Sequence, residues 1–136
     1  MDIEVDFAMI AEAVQIINEQ FYILGGAICW WYFSEFPGVT PPLPLVVRLI
    51  IPASCADRDI SIAIKIINDD GLKVLPEIPI TIHTAPLVRP GFPNYLPRIF
   101  YLPPIQCEKP DNFRIEIYTE GLLKKSVPFG ARLSQT

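Results

Sequence analysis

Ile60-Ser61-Ile62-Ala63-Ile64-Lys65-Ile66-Ile67-Asn68-Asp69-Asp70-Gly71 is the stretch whose reading decides the fold. Isoleucine stands at every second position from 60 to 66. A period of two places all four side chains on one face of an extended strand, whereas a helix would scatter them around its circumference. β-Branched side chains, stiff at χ1, favour the pleated form further. Asp70-Gly71 is a favoured hairpin dipeptide, because both residues accept positive φ. The reading is a strand over 60–67, a hairpin turn, and a return strand starting at 73–75.

The same logic extends toward the C-terminus. Ile78, Ile80 and Ile82 form another short strand, which Pro76 and Pro79 push toward a sheet edge. Residues 85–97 are a long irregular connection holding Pro86, Pro90, Pro93 and Pro97, followed by a short strand at 98–102 that Pro103-Pro104 closes. Phe113, Ile115 and Ile117 alternate with Arg114, Glu116 and Tyr118. Glu120-Gly121 turns the chain, 122–127 returns, and 131–133 can still pair.

Toward the N-terminus, Leu45, Val47, Leu49 and Ile51 alternate with Val46, Arg48 and Ile50, and the strand stops at Pro52. Ile3, Val5 and Phe7 share one face, with Asp2, Glu4 and Asp6 on the other. Residues 8–17 are ambiguous, since Ile10, Val14 and Ile17 also fit helical spacing. They are read as strand turning at Asn18-Glu19, because Phe21-Tyr22-Ile23-Leu24 looks like a hairpin partner that Gly25-Gly26 ends or bulges. Aromatics resume the strand at 27–33. The expectation is an all-β, antiparallel sandwich of about eight strands, with 1–136 forming a single domain.

Composition supports a globular chain. Of 136 residues, 51% are hydrophobic and 19% charged, which is enough for a core and argues against disorder. Fifteen prolines break the chain into short segments. The uncharged run at 20–34 is too short to span a bilayer, so no membrane association is expected. The acidic start Met1-Asp2-Ile3-Glu4 is unlike a secretory signal, and the expected location is cytoplasmic. A net charge of −4, with Lys124-Lys125 the only adjacent basic pair, argues against nucleic acid. Cys29, Cys55 and Cys107 are too few and too widely spaced for a disulfide framework or a zinc site. Cys29 reads as a core residue, and Cys55 and Cys107 as thiols near loops.

Catalysis lacks parts. His83 is the only histidine, and no spacing brings a nucleophile to it. Gly25-Gly26 lacks the Lys and Ser/Thr of a phosphate loop. Asp57 and Asp59 are separated from Asp69 and Asp70 by a strand about 20 Å long or more, so these pairs cannot share an ion. Asp57, Asp59 and Asp111 are the remaining calcium candidates. No catalytic residue, metal or cofactor is expected.

The aromatics carry more. Along a strand Trp30 and Tyr32 share one face, Trp31 and Phe33 the other. One pair is therefore covered by a loop or left as a contact surface. Phe92, Tyr95, Phe100 and Tyr101, in a proline-rich setting, pose the same choice.

Asp6-Phe7-Ala8, Ala11 and Tyr22-Ile23-Leu24-Gly25-Gly26, followed by Leu45-Val46-Val47-Arg48-Leu49, Asp70-Gly71 and Pro128-Phe129-Gly130, resemble an uncharacterised family of small bacterial domains. The resemblance implies an immunoglobulin-like β-sandwich with no assigned activity. The leading expectation is a non-enzymatic module that binds a protein partner or a second copy of itself through an aromatic patch or sheet edge. The alternatives are a small-molecule or enzymatic pocket near His83 and Arg98, and a calcium-dependent sandwich. A far-ultraviolet circular dichroism spectrum should show one β-type minimum; helical double minima would overturn the strand reading.

Overall fold

The computed structural model describes residues 2–135. Among them are twelve strands, one 3-10 turn (Ala53–Cys55) and no α-helix. β6 (Leu43–Ile51) lies between β1 (Glu4–Ile10) and β9 (Asn94–Leu102) in an antiparallel three-stranded sheet. β7 (Asp59–Asn68) belongs to a five-stranded sheet. The order there is β4 (Trp30–Phe33), β12 (Leu122–Leu133), β11 (Asp111–Thr119), β7 and β8 (Ile78–His83). Only the β4–β12 pair in that sheet is parallel.

The isoleucine stripe does what its period demands. Ile60, Ile62, Ile64 and Ile66 are each 1% exposed, and they join one cluster with Leu45, Val47, Leu49 and Ile51 of the facing sheet. Each such side chain contributes about 1.5–3 kcal/mol on burial. Buried threonines fix the ends of the strands, Thr119 between the two sheets and Thr40 beside the β6–β9 pair. Thr119 Oγ1 donates to the Ile3 carbonyl at 3.1 Å, and the Ile105 N–H donates to Thr40 Oγ1 at 2.8 Å.

A third layer covers the outer face of β6. β2 (Ala13–Ile17) and β3 (Gln20–Leu24) form a hairpin whose two turn residues, Asn18 and Glu19, both have positive φ. Val14 of this hairpin packs with Val46, Phe7, Phe21 and Ile99 in a second cluster. β1 reaches it by a bulge: Val5 pairs with Leu49 but Phe7 pairs with Arg48, so the alternation switches at Asp6. Ile3 and Val5 then face the main core, while Phe7 faces the hairpin. The expectation that Phe7 shares a face with Ile3 and Val5 is corrected by that bulge.

Other differences have equally local causes. The strands number twelve rather than eight, partly because the two-residue strands β5 (Gly38–Val39) and β10 (Gln106–Cys107) pair across proline-rich stretches. Residues 73–75 form no strand. A single bridge links Ile67 and Lys73, and the return then breaks off until β8 resumes it at Ile78, opposite Ile64, with Pro76 in the gap. β9 starts earlier than expected, at Asn94, and β12 continues through Pro128 to Leu133. The cysteines are exchanged: Cys29 is exposed, whereas Cys55 and Cys107 are buried. Burial pushes the Cys107 thiol above its ordinary value, with the Asp111 charge adding to the effect.

Ile115 is fully buried at the centre of the five-stranded sheet. Ile115→Ala should lower stability by about 2–5 kcal/mol, read as a shift in the urea midpoint. Tyr32→Ala, at a residue that is 59% exposed, should stay within about 0.5 kcal/mol.

Candidate functional site

The two aromatic sets lie on different sheets and have different surroundings. In β4 the parity holds: Phe33 is buried and Trp31 packs against the main core, while Tyr32 faces out. Trp30 also faces outward, yet its ring is occupied. It lies over Gly130, where an added Cβ would sit 2.3 Å from the ring, and beneath the Arg132 guanidinium at 3.5 Å. In the second set Phe100 packs against the core, whereas Phe92, Tyr95 and Tyr101 are exposed. No ring contact joins the two sets among the described residues.

The exposed rings of the second set flank the outer edge of β9, with which no strand pairs among the described residues. The free backbone groups there follow from β6. The Pro44 carbonyl accepts from the Ala11 N–H at 3.2 Å, so Pro44 and alternate residues onward direct their backbone toward β1. Leu45, Val47, Leu49 and Ile51 therefore direct theirs toward β9, where they meet Phe100, Arg98, Leu96 and Asn94. Tyr95, Pro97, Ile99 and Tyr101 are left presenting backbone groups to the open edge. Pro97, which has no N–H, stands where the sheet needs none.

A cleft of about 390 Å³ follows this edge. Asn94, Tyr95, Leu96, Pro97 and Arg98 all line it. Successive strand residues face opposite ways, so a surface touching all five passes along the edge; Ile51 and Thr84 also line the cleft. Ile16 and Glu19 reach it from the hairpin, and Ala85, Val88 and Arg89 from the connection between β8 and β9. That connection is held in place. Asn94 Nδ2 donates to the Pro86 carbonyl at 3.1 Å, and the Asp57 N–H donates to the Ala85 carbonyl at 3.0 Å. The Tyr95 ring stacks under Arg48 at 4.3 Å, and the Phe92 ring under Arg89 at 4.6 Å. Of the residues proposed from sequence, Tyr95 and Arg98 line the cleft and His83 does not. The contributions of Ile16, Glu19 and Val88 had no local signal, since only the crossing of distant segments brings them there.

His83 instead sits on the outward side of β8, with both ring nitrogens engaged. Nδ1 lies 2.8 Å from Asp59 Oδ1, and Nε2 lies 3.2 Å from Asp57 Oδ1. Asp57 holds φ at 52°, a left-handed conformation that Asp tolerates. The proposed trio of Asp57, Asp59 and Asp111 is not brought together. Asp59 pairs with His83 at one end of β7, while β11 begins at the other end, where Phe113 pairs with Asn68 and Asn112 Nδ2 donates to Asp69. Antiparallel pairing of β7 with β11 separates them by the strand's length. No group of three or more potential metal ligands occurs among the described residues. No helix among them is long and apolar enough to cross a membrane.

The chain belongs to a family of unknown function, DUF6941, matched over residues 6–132. The match begins at Asp6 and contains every piece on which the resemblance to an uncharacterised domain rested, through Gly130. No curated protein matches the chain.

The His83 bridge can be measured directly, since the chain has one histidine. Hydrogen bonding to Asp59, and then to Asp57, raises its pKa above the ordinary 6.5. Its small contribution to stability is therefore present below pH 6.5 and is lost as pH rises through the folded value. NMR titration should show the elevated midpoint, and Asp59→Asn should bring it back toward 6.5.

Proposed function

We propose that this member of the DUF6941 family is a non-enzymatic protein-interaction module. In this reading a one-domain, immunoglobulin-like β-sandwich receives an extended segment of a partner protein along β9. The observation that carries it is the open β9 edge lying in a cleft whose lining includes the exposed Tyr95. Adding a strand to a sheet edge satisfies backbone groups on both sides, and flanking pockets supply specificity. Tyrosine adds contact area at low entropic cost.

Connectivity supports the immunoglobulin-like part. After β6 the chain passes to the opposite sheet for β7 and β8, returns for β9, and crosses again for the β11–β12 hairpin. The non-enzymatic part is supported by the commitments of the polar groups near the cleft. Thr84 Oγ1 donates to the Cys55 carbonyl at 2.6 Å and accepts the Arg58 N–H at 3.1 Å. His83 has a carboxylate on each ring nitrogen, which leaves neither free to take a proton from a substrate.

The test isolates one backbone group. Tyr95→Pro removes an N–H that points to the open edge, while Tyr95→Thr removes the same ring and keeps that N–H. Linear peptides selected on the wild-type chain from a random library should bind Tyr95→Pro about tenfold more weakly than Tyr95→Thr, the worth of one backbone hydrogen bond. Equal binding to the two variants would remove the β9 edge from the interaction.

A further inference from the structure

We infer that the segment received along β9 is acidic, and that a carboxylate side chain on it is held by the Arg98 guanidinium with Arg89 nearby. This inference rests on the β9-edge reading above. It starts from a charge imbalance. The chain carries a net charge of −4, and several of its cations are already matched. Arg58 pairs with Glu120, Arg48 with Asp6, Lys65 with Glu77, and Lys124 with both Asp2 and Glu4. Arg98 and Arg89 line the cleft, and neither makes an ion pair among the described residues.

An unpaired cation on an open surface is ordinary. Arg98 is different, because it is half-buried and its side-chain hydrogen bond runs only from Nη1 to the neighbouring Pro97 carbonyl, at 2.8 Å, among the described residues. Partial desolvation of a charge is unfavourable unless a counter-charge arrives. The planar guanidinium fork offers parallel N–H groups that match a carboxylate in two hydrogen bonds. Glu19, from the hairpin turn, lines the same cleft but makes no ion pair with either arginine among the described residues, so both guanidinium groups remain open to an incoming carboxylate.

The probes are short synthetic peptides of alternating Val and Thr with Gly/Ser flanks, differing only in a central Glu, Gln or Lys. They are titrated by fluorescence polarisation against the full chain. The Glu peptide should bind about tenfold more tightly than the Gln peptide, as a charge-assisted pair does, with Lys weakest. The preference should shrink in Arg98→Gln and in high salt, and should persist in Tyr95→Thr. If Glu and Gln bind equally and both weaken in Tyr95→Pro, the acidic inference fails and the edge reading stands. If no peptide binds, or Tyr95→Pro changes nothing, both fail. A dimer in light scattering that Tyr95→Pro dissolves would give the edge to a second copy and overturn the inference.

Discussion

β6 is buried on both faces from Leu45 to Val47, and the rest of the molecule is arranged around that fact. Leu45, Val47 and Leu49 are fully buried on one face, and Val46 is fully buried on the other. A strand apolar on both faces needs a layer on each. The five-stranded sheet supplies one through its isoleucine stripe, and the β2–β3 hairpin supplies the other. The second layer imposes its own conditions on the sequence. β1 must bulge at Asp6 so that Phe7 turns out to meet Phe21, with ring centroids 5.6 Å apart. The chain must also leave β3 sharply. Gly25 does so at a φ of 61°, where a Cβ would sit 2.8 Å from the Glu12 side chain.

The same arrangement explains why one edge stays open. Sheet edges are protected by prolines, by brevity or by cover. β8 carries Pro79, and Pro76 precedes it. β4 has only four residues. The start of β1 is met by Lys124 of β12, whose ammonium reaches Glu4 at 2.9 Å and Asp2 at 3.4 Å. β9 has nine residues and a single proline within the strand. The hairpin reaches it only at its flank, through Ile99 in the second cluster and through Ile16 and Glu19 in the cleft. The open edge is what remains when a two-stranded cap covers a three-stranded sheet.

Much of this was legible in the sequence where one strand's own alternation decides the outcome. The isoleucines at 60–66, the Asn18-Glu19 turn, the edge position implied by Pro76 and Pro79, and the facing of Trp31 and Phe33 are of that kind. Errors arose where a partner strand decides. Residues 73–75 begin the return beside β7 with a single bridge, but regular pairing resumes only at Ile78, after Pro76. Cys29 stands in an apolar run that leads into a sheet edge, and so faces out. Cys107 stands among polar neighbours but closes the core beside β5. Asp111 was grouped with Asp57 and Asp59 because antiparallel order, which puts it at the far end, is invisible until β11 is paired with β7. Of the candidate site, Tyr95 and Arg98 were readable for the same reason, since they belong to β9 itself, whereas the hairpin's contribution is tertiary.

The excess of aromatic residues, which first suggested a binding surface, divides into two uses. At β4 the rings complete the fold. A four-residue parallel strand makes a weak ladder, and Trp30 strengthens it by filling the space over Gly130 that any larger residue would occupy. Arg132 then closes over the ring from the neighbouring strand, so little of Trp30 is left to offer a partner. At β9 the rings do not fill gaps. Tyr95 and Phe92 lie against arginine side chains, and Tyr101 projects from the strand where it pairs with Pro44. An aromatic held flat by a guanidinium is positioned but still exposed, and it stands beside backbone groups without partners. Order combined with exposure separates Tyr95 and Phe92 from the rings of β4.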